Sequence, residues 1–211
     1  MNLEKIFKNK KIIVTGHTGF KGSWLTLWLT KLGANVLGIS KDIPTKPSHF
    51  DSLNLKKKIK HKQISINNYK EIEKIFKEFQ PSFVFHLAAQ SLVSKSYEEP
   101  IETFNTNSIG TLNILESLKQ IKKKCFVIFV TSDKVYKNVE KVKGYKEDDV
   151  LGGKDPYSGS KAAAENIINS FIHSYYNKPS SKILISIARA GNVIGGGDWS
   201  PNRIVPDCIK S

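Results

Sequence analysis

Tyr157 and Lys161 stand four residues apart in the run Pro156-Tyr157-Ser158-Gly159-Ser160-Lys161. On a helix this spacing puts both side chains on one face. A lysine ammonium close to a phenol favours the phenolate, which lets tyrosine act as a base near neutral pH. Taken alone, such a pair is equally an ordinary exposed helical pair. Its setting gives it weight, because the apolar run before it ends in Val130-Thr131-Ser132-Asp133-Lys134. Ser132 can donate a hydrogen bond to a substrate hydroxyl or a developing ketone, and Asp133 and Lys134 supply an acid/base pair beside it. Ser132, Asp133, Lys134, Tyr157 and Lys161 are therefore the candidate catalytic residues.

A second constellation lies near the N-terminus, in Gly16-His17-Thr18-Gly19-Phe20-Lys21-Gly22. Between a β-rich run and an apolar-periodic one, glycines at this spacing allow a tight turn and close approach of a pyrophosphate, whose charge meets the free amides of a helix N-terminus. Gly16, Thr18, Gly19, Phe20 and Gly22 are the expected contacts. The Gly-Lys-Ser/Thr ending of a nucleoside-triphosphate loop is absent. A ribose-binding acid is expected about 20 residues after such a turn, where Asp42 stands. Lys41 beside it could meet a 2′-phosphate instead, which leaves NADP open next to NAD. The segment His86-Leu87-Ala88-Ala89-Gln90 offers small residues where a cofactor passes close to backbone, and His86 itself is expected to pack rather than catalyse. The five histidines show no metal-ligand spacing, and a Gly-x-Ser-x-Gly nucleophile elbow is missing, so neither metal nor hydrolase chemistry is expected.

These residues need elements to hold them at one edge. Apolar runs predict strands at 11–15, 34–40, 83–87, 125–130 and 182–188, with a weaker one in 59–66. Helices are expected over 20–32, 69–79, 104–118 and 157–176, and a loop over 137–156. Strand and helix alternate without internal repeats, and strands apolar on both faces belong in a parallel sheet covered by helices. The expected fold is α/β, a Rossmann-like doubly wound parallel sheet over residues 1–190. Residues 191–211 begin a substrate-binding part that stops short.

Composition agrees with a folded chain of 211 residues, 39% hydrophobic and 25% charged. Two cysteines, Cys125 and Cys208, leave no disulfide framework and suit a reducing, cytoplasmic setting. No apolar stretch approaches a membrane span. The net charge of +14 rests almost wholly on lysine, Arg189 and Arg203 being the only arginines, so specific nucleic-acid recognition is not expected. Lys56-Lys57-Lys58 and Lys122-Lys123-Lys124 read as solvated faces.

The chain resembles the extended short-chain dehydrogenase/reductases, and among them the sugar-nucleotide 4,6-dehydratases. The resemblance is carried by Thr15 to Trp24, His86 to Gln90, Thr131 to Lys134, Gly152 to Ser158 and Ala188 to Trp199. It implies NAD as cofactor, Tyr157 as the base at the sugar 4-hydroxyl, and Lys161 holding the nicotinamide ribose. Asp133 and Lys134 would serve the elimination of water across C5 and C6, and Ser132 would hold the C4 oxygen. Thymidine-type members carry Thr-Asp-Glu where this chain has Ser132-Asp133-Lys134, which implies CDP-glucose as substrate. Gln90, Asn192 and Arg203 are the implied substrate contacts, and a homo-oligomer is implied as the assembly. Members usually bind adenine through an Asp in a Gly-Asp-Ile-Arg-Asp-like stretch. Here that region reads Gln63-Ile64-Ser65-Ile66-Asn67, and Ser65 could replace one hydrogen bond but not the charge. Members also run well past three hundred residues, so the sugar-nucleotide part would be incomplete. Two other readings share these motifs: another NAD(P)-dependent sugar-nucleotide epimerase or dehydratase, and a truncated, non-catalytic dinucleotide-binding protein.

Overall fold

A computed structural model describes residues 2–210 of the chain. Six strands form one parallel sheet: β1 (Lys11–Thr15), β2 (Asn35–Ser40), β3 (Lys60–Gln63), β4 (Phe83–His86), β5 (Cys125–Val130) and β6 (Ile183–Ala188). Their spatial order is β3-β2-β1-β4-β5-β6. The helices are α1 (Leu3–Phe7), α2 (Phe20–Lys31), α3 (His49–Ser52), α4 (Tyr69–Phe79), α5 (Val93–Glu98), α6 (Pro100–Phe104), α7 (Gly110–Ser117), α8 (Pro156–Phe171) and α9 (Ile204–Lys210). The chain reverses between β1 and β4, and a sheet of this order opens a crevice at the carboxyl ends of those strands.

Alternation along the strands sorts the core into two layers. Ile13 of β1, with Ile39, Val84 and Val127, packs against Ile72 and Phe76 of α4 and Ile114 and Leu115 of α7. Ile12 and Val14 face the other way onto Leu29 of α2. Local chemistry sets the helix starts. Asp155 caps α8 by accepting from the Ser158 amide at 3.0 Å and the Ser158 hydroxyl at 2.6 Å, with Pro156 in the first turn.

The structure differs from the sequence expectation in several places. The third strand is only Lys60–Gln63 and lies at the sheet edge. The helix expected over 104–118 passes through a π turn, Asn105–Ile109, before α7, and α8 likewise ends in a π turn, Ile172–Tyr176. The short helices α1, α3, α5, α6 and α9 have too few turns for apolar periodicity to reveal them. The strand β5 is not covered on both faces: Phe126 is 41% exposed, and Leu184, its register partner on β6, is 43% exposed. The row Ile12, Phe83, Phe126, Leu184 thus runs from fully buried to half-open as it leaves α2. Both lysine runs are exposed. No helix among the described residues is long and apolar enough to cross a membrane.

Candidate active site

The carboxyl ends of the strands open into a cleft of about 950 Å³. Its floor is the glycine turn between β1 and α2. Gly16 has φ +72°, and a Cβ there would stand 2.7 Å from the Ala88 amide nitrogen. A Cβ on Gly22 would come within 2.0 Å of the Gly16 carbonyl oxygen, so neither position accepts a side chain without moving backbone. Gly19 caps α2 without a side-chain hydrogen bond, leaving the first-turn amides for an incoming anion. The turn is held from below: the Thr18 hydroxyl donates to the Asp42 carbonyl at 2.6 Å, and Ser40 Oγ meets His17 Nδ1 at 3.0 Å.

Beside the turn runs the segment after β4. Ala88 donates its amide to Thr15 Oγ1 at 3.2 Å, and Thr15 Oγ1 lies 2.8 Å from His86 Nδ1. On its other side, His86 Nε2 lies 3.2 Å from Thr111 Oγ1, whose hydroxyl donates to the Asn107 carbonyl at 2.7 Å. Donor accounting then makes His86 a neutral ring with its proton on Nε2. Burial pushes its pKa down to about 3, so it belongs to the core, as the sequence suggested.

Tyr157 and Lys161 lie one above the other on α8, 9% and 7% exposed. Burial raises the Tyr157 phenol, while the Ser132 hydroxyl and the Arg203 guanidinium pull it the other way. Burial and the Lys21 ammonium bring Lys161 down to about 8. Ser132 closes the group at the end of β5, its hydroxyl donating to Asp133 Oδ1 at 3.1 Å and accepting from the Lys134 amide at 3.2 Å. Asp133 and Lys134 are exposed to the cleft.

The structure brings nearly all the expected site residues to this cleft. Its walls include the glycine turn, Asp42, Ser65, Leu87 to Gln90, Ser132 to Lys134, Tyr157, Asn192 and Arg203. Lys161 is the exception, buried behind Tyr157 rather than lining the opening. Gln90 lines the wall but directs its amide into the protein, donating to the Leu92 carbonyl at 2.9 Å and Thr103 Oγ1 at 3.0 Å. Lys41, read as a possible partner for a 2′-phosphate, is paired with Glu102 at 3.0 Å.

Two residues escaped the sequence reading. Lys21 interacts electrostatically with Asp133, Asp198, Arg203 and Lys161, so it adds a cation at the Tyr157 end of the cleft. Its signal was a lysine in the first turn of the helix that follows the glycine turn. Asn107, 1% exposed, accepts from the Gln90 amide at 2.8 Å and donates to the Gln90 carbonyl at 3.0 Å and Ser160 Oγ at 2.9 Å. It ties the segment after β4 to α8, a pairing no local pattern reveals.

Fold and cleft together define a Rossmann-like nucleotide-binding protein with a Tyr-x-x-x-Lys site at its strand ends. Residues 13–188 match the family described as GDP-mannose 4,6 dehydratase, and the chain belongs to that family. It is 45% identical to CDP-glucose 4,6-dehydratase of Salmonella typhimurium, over 99% of this chain and 59% of that protein. Among solved structures, UDP-glucose 4-epimerase of Thermus thermophilus, in complex with NAD, superposes with a TM-score of 0.77 at 28% identity, covering 91% of this chain and 58% of the other. UDP-glucose 4-epimerase of Thermotoga maritima, with UDP-glucose, gives 0.76 at 29% identity, covering 92% and 59%. The chain thus spans about three fifths of the length of each.

Proposed function

We propose that this chain carries the cofactor-binding and catalytic part of an NAD-dependent CDP-glucose 4,6-dehydratase, converting CDP-glucose to CDP-4-dehydro-6-deoxyglucose and water. The observation that carries the reading is the meeting of Ser132, Asp133 and Lys134 with the buried Tyr157–Lys161 pair at one strand edge, in a chain 45% identical to such an enzyme. An epimerase needs the Tyr–Lys pair but has no elimination for an Asp–Lys pair to serve.

The glycine turn suits a dinucleotide, because Gly16 and Gly22 let the turn close against its own backbone and the Ala88 segment, and α2 presents uncapped amides to a pyrophosphate. Thr18, Gly19 and Phe20 complete that cradle, while Asp42 and Ser65 take the adenosine side and Leu87, Ala88 and Ala89 the passing backbone. NAD rather than NADP fits the Lys41–Glu102 pair, which leaves no unpaired lysine there. Held there, NAD would supply a hydride acceptor for the sugar C4 and a hydride donor for C6.

Every other step falls to the protein. Tyr157 removes the 4-hydroxyl proton, with Lys161 supplying the positive charge that favours its phenolate. Ser132 holds the C4 oxygen as it becomes a ketone. The ketone acidifies the C5 proton, and of Asp133 and Lys134 one takes that proton while the other protonates the departing 6-hydroxyl, which leaves as water; the first returns its proton to C5 as hydride reaches C6, and the proton taken by Tyr157 replaces the one lost with the water. Arg203, whose buried Nε has no hydrogen-bond partner, and Asn192 meet the sugar nucleotide. A cytoplasmic setting and a homo-oligomeric assembly belong to the same reading. The test is incubation with CDP-glucose and NAD, following a 4-keto-6-deoxy product by mass and by absorbance in alkali. Product that disappears in Tyr157→Phe supports the reading. Folded, NAD-binding protein that forms none overturns catalysis by this chain alone, leaving either a part of a dehydratase that needs the rest of the enzyme or a non-catalytic dinucleotide-binding unit.

A further inference from the structure

Glu165 is fully buried one helical turn beyond Lys161, and it is not part of the reacting group. Its carboxylate accepts from Arg189 Nε at 3.0 Å on both oxygens, from Arg189 Nη2 at 2.6 Å, and from Thr131 Oγ1 at 2.5 Å. Three segments therefore converge on one carboxylate: α8, which carries Tyr157; the residue preceding Ser132; and the end of β6. The backbone around Arg189 closes the same junction, since the Ala188 and Ala190 carbonyls accept from the amides of Thr131 at 3.0 Å and Asp133 at 3.1 Å.

Arg189 also reaches outward. Its guanidinium lies 4.6 Å from the centre of the Tyr136 ring, and Tyr136 stacks on Tyr145 at 5.0 Å and 26°. Its Nη1 donates to the Glu147 carbonyl at 3.1 Å. The segment 136–151 is pinched at its base by the Tyr136–Leu151 bridge, the Lys137 amide on the Val150 carbonyl and the Gly152 amide on the Val135 carbonyl. One end of this loop emerges from Asp133 and Lys134, and the other leads through Asp155 into Tyr157. The loop therefore spans the two halves of the catalytic group.

We propose that Arg189, seated on Glu165 and capped by the Tyr136 ring, is a positioning residue that holds the 136–151 loop so that Asp133 and Lys134 keep their place opposite Tyr157. The inference rests on the dehydratase reading. A bidentate fork with a flat stacking face is what the position requires, and lysine offers neither. Small displacements of reacting groups weaken the chemical step far more than they weaken binding.

The test compares Arg189→Lys, Tyr136→Leu and Tyr136→Phe with the unaltered chain, reading kcat, KM for CDP-glucose, NAD affinity, and hydrogen exchange of the loop. Arg189→Lys and Tyr136→Leu should lower kcat roughly tenfold to a hundredfold. KM and NAD affinity should stay within about twofold, and exchange should quicken in 136–151 but not in β1 or α2. Tyr136→Phe, which keeps the ring but gives up the Tyr136 hydroxyl's hydrogen bond with Arg189, should recover most of kcat. Because Tyr136→Leu leaves the buried pair intact, it answers the question even if Arg189→Lys folds poorly. An unchanged kcat in folded Tyr136→Leu overturns the proposal, as does exchange that rises throughout the fold. If the unaltered chain forms no product, turnover by the chain alone fails, and the exchange data still report on the loop: exchange unaltered by Tyr136→Leu overturns the clamp, and exchange quickened only there upholds it.

Discussion

His17 Nε2 lies 2.8 Å from Nδ1 of His61, directly beneath the glycine turn, while His17 Nδ1 meets Ser40 Oγ at 3.0 Å. Gly38 leaves the space for this ring, since a Cβ there would stand 2.3 Å from His17 Cδ2. Burial, with a smaller contribution from His61, lowers His17 from 6.5 to about 4. The unfolded chain therefore binds the proton first as pH falls. The stabilisation is complete above pH about 6.5 and lost as pH drops towards 4, a change of ~3 kcal/mol for this group. Urea unfolding at a series of pH values should show the loss, and His17→Gln should flatten the curve by about that amount.

The Tyr157–Lys161 pair makes a separate pH prediction. Lys161 sits at about 8 because burial and Lys21 outweigh the opposing Glu165. In kcat/KM, which reports the free protein, activity should decline as pH rises through about 8 and the ammonium is lost. Lys161→Arg, whose guanidinium keeps its charge, should remove that decline even though the misfit lowers the rate. A profile flat to well above this pH would detach Lys161 from the chemistry.

Gly22→Ala places a methyl against the Gly16 carbonyl, which is backbone and cannot turn aside. The expected cost is ~1–3 kcal/mol of stability. NAD affinity, measured by calorimetry on the folded fraction, should fall more steeply than stability does, because the displaced turn is the proposed pyrophosphate cradle.

Cofactor preference should respond to Glu102→Gln. The Lys41–Glu102 pair is half exposed, so its loss changes stability by less than ~1 kcal/mol. The freed Lys41 ammonium becomes available to a 2′-phosphate, and the ratio of NADP to NAD dissociation constants should narrow several-fold. An unchanged ratio would mean that Lys41 points away from the ribose.

What the sequence disclosed and what it hid divide along physical lines. The glycine turn and the Tyr157–Lys161 pair were legible because their chemistry is local: a few residues on one strand, turn or helix fix the geometry. Ser132 to Lys134 could be placed because an apolar strand must end at the sheet edge. Lys21 was visible as a letter but not as a site residue, since its partners Asp133, Asp198 and Arg203 come from distant segments. The Glu165–Arg189 pair, 24 residues apart and brought together where α8 meets the end of β6, has no sequence pattern at all. Gln90 sits on the cleft wall, yet its amide is satisfied by Leu92 and Thr103, a matter that side-chain geometry alone decides.

The placement of β1 between β2 and β4 also governs how the chain reaches its native state. Thr15 and His86, whose side chains lie 2.8 Å apart, are separated by 71 residues. The centre of the sheet therefore cannot close until much of the chain is available, and such nonlocal pairing folds slowly. Both β1 and β2 precede β4 in the chain, so during synthesis the edge of β1 that meets Phe83–His86 has no partner until β4 follows. A nascent chain of this design waits with one hydrogen-bonding edge open, the interval in which holding chaperones matter most.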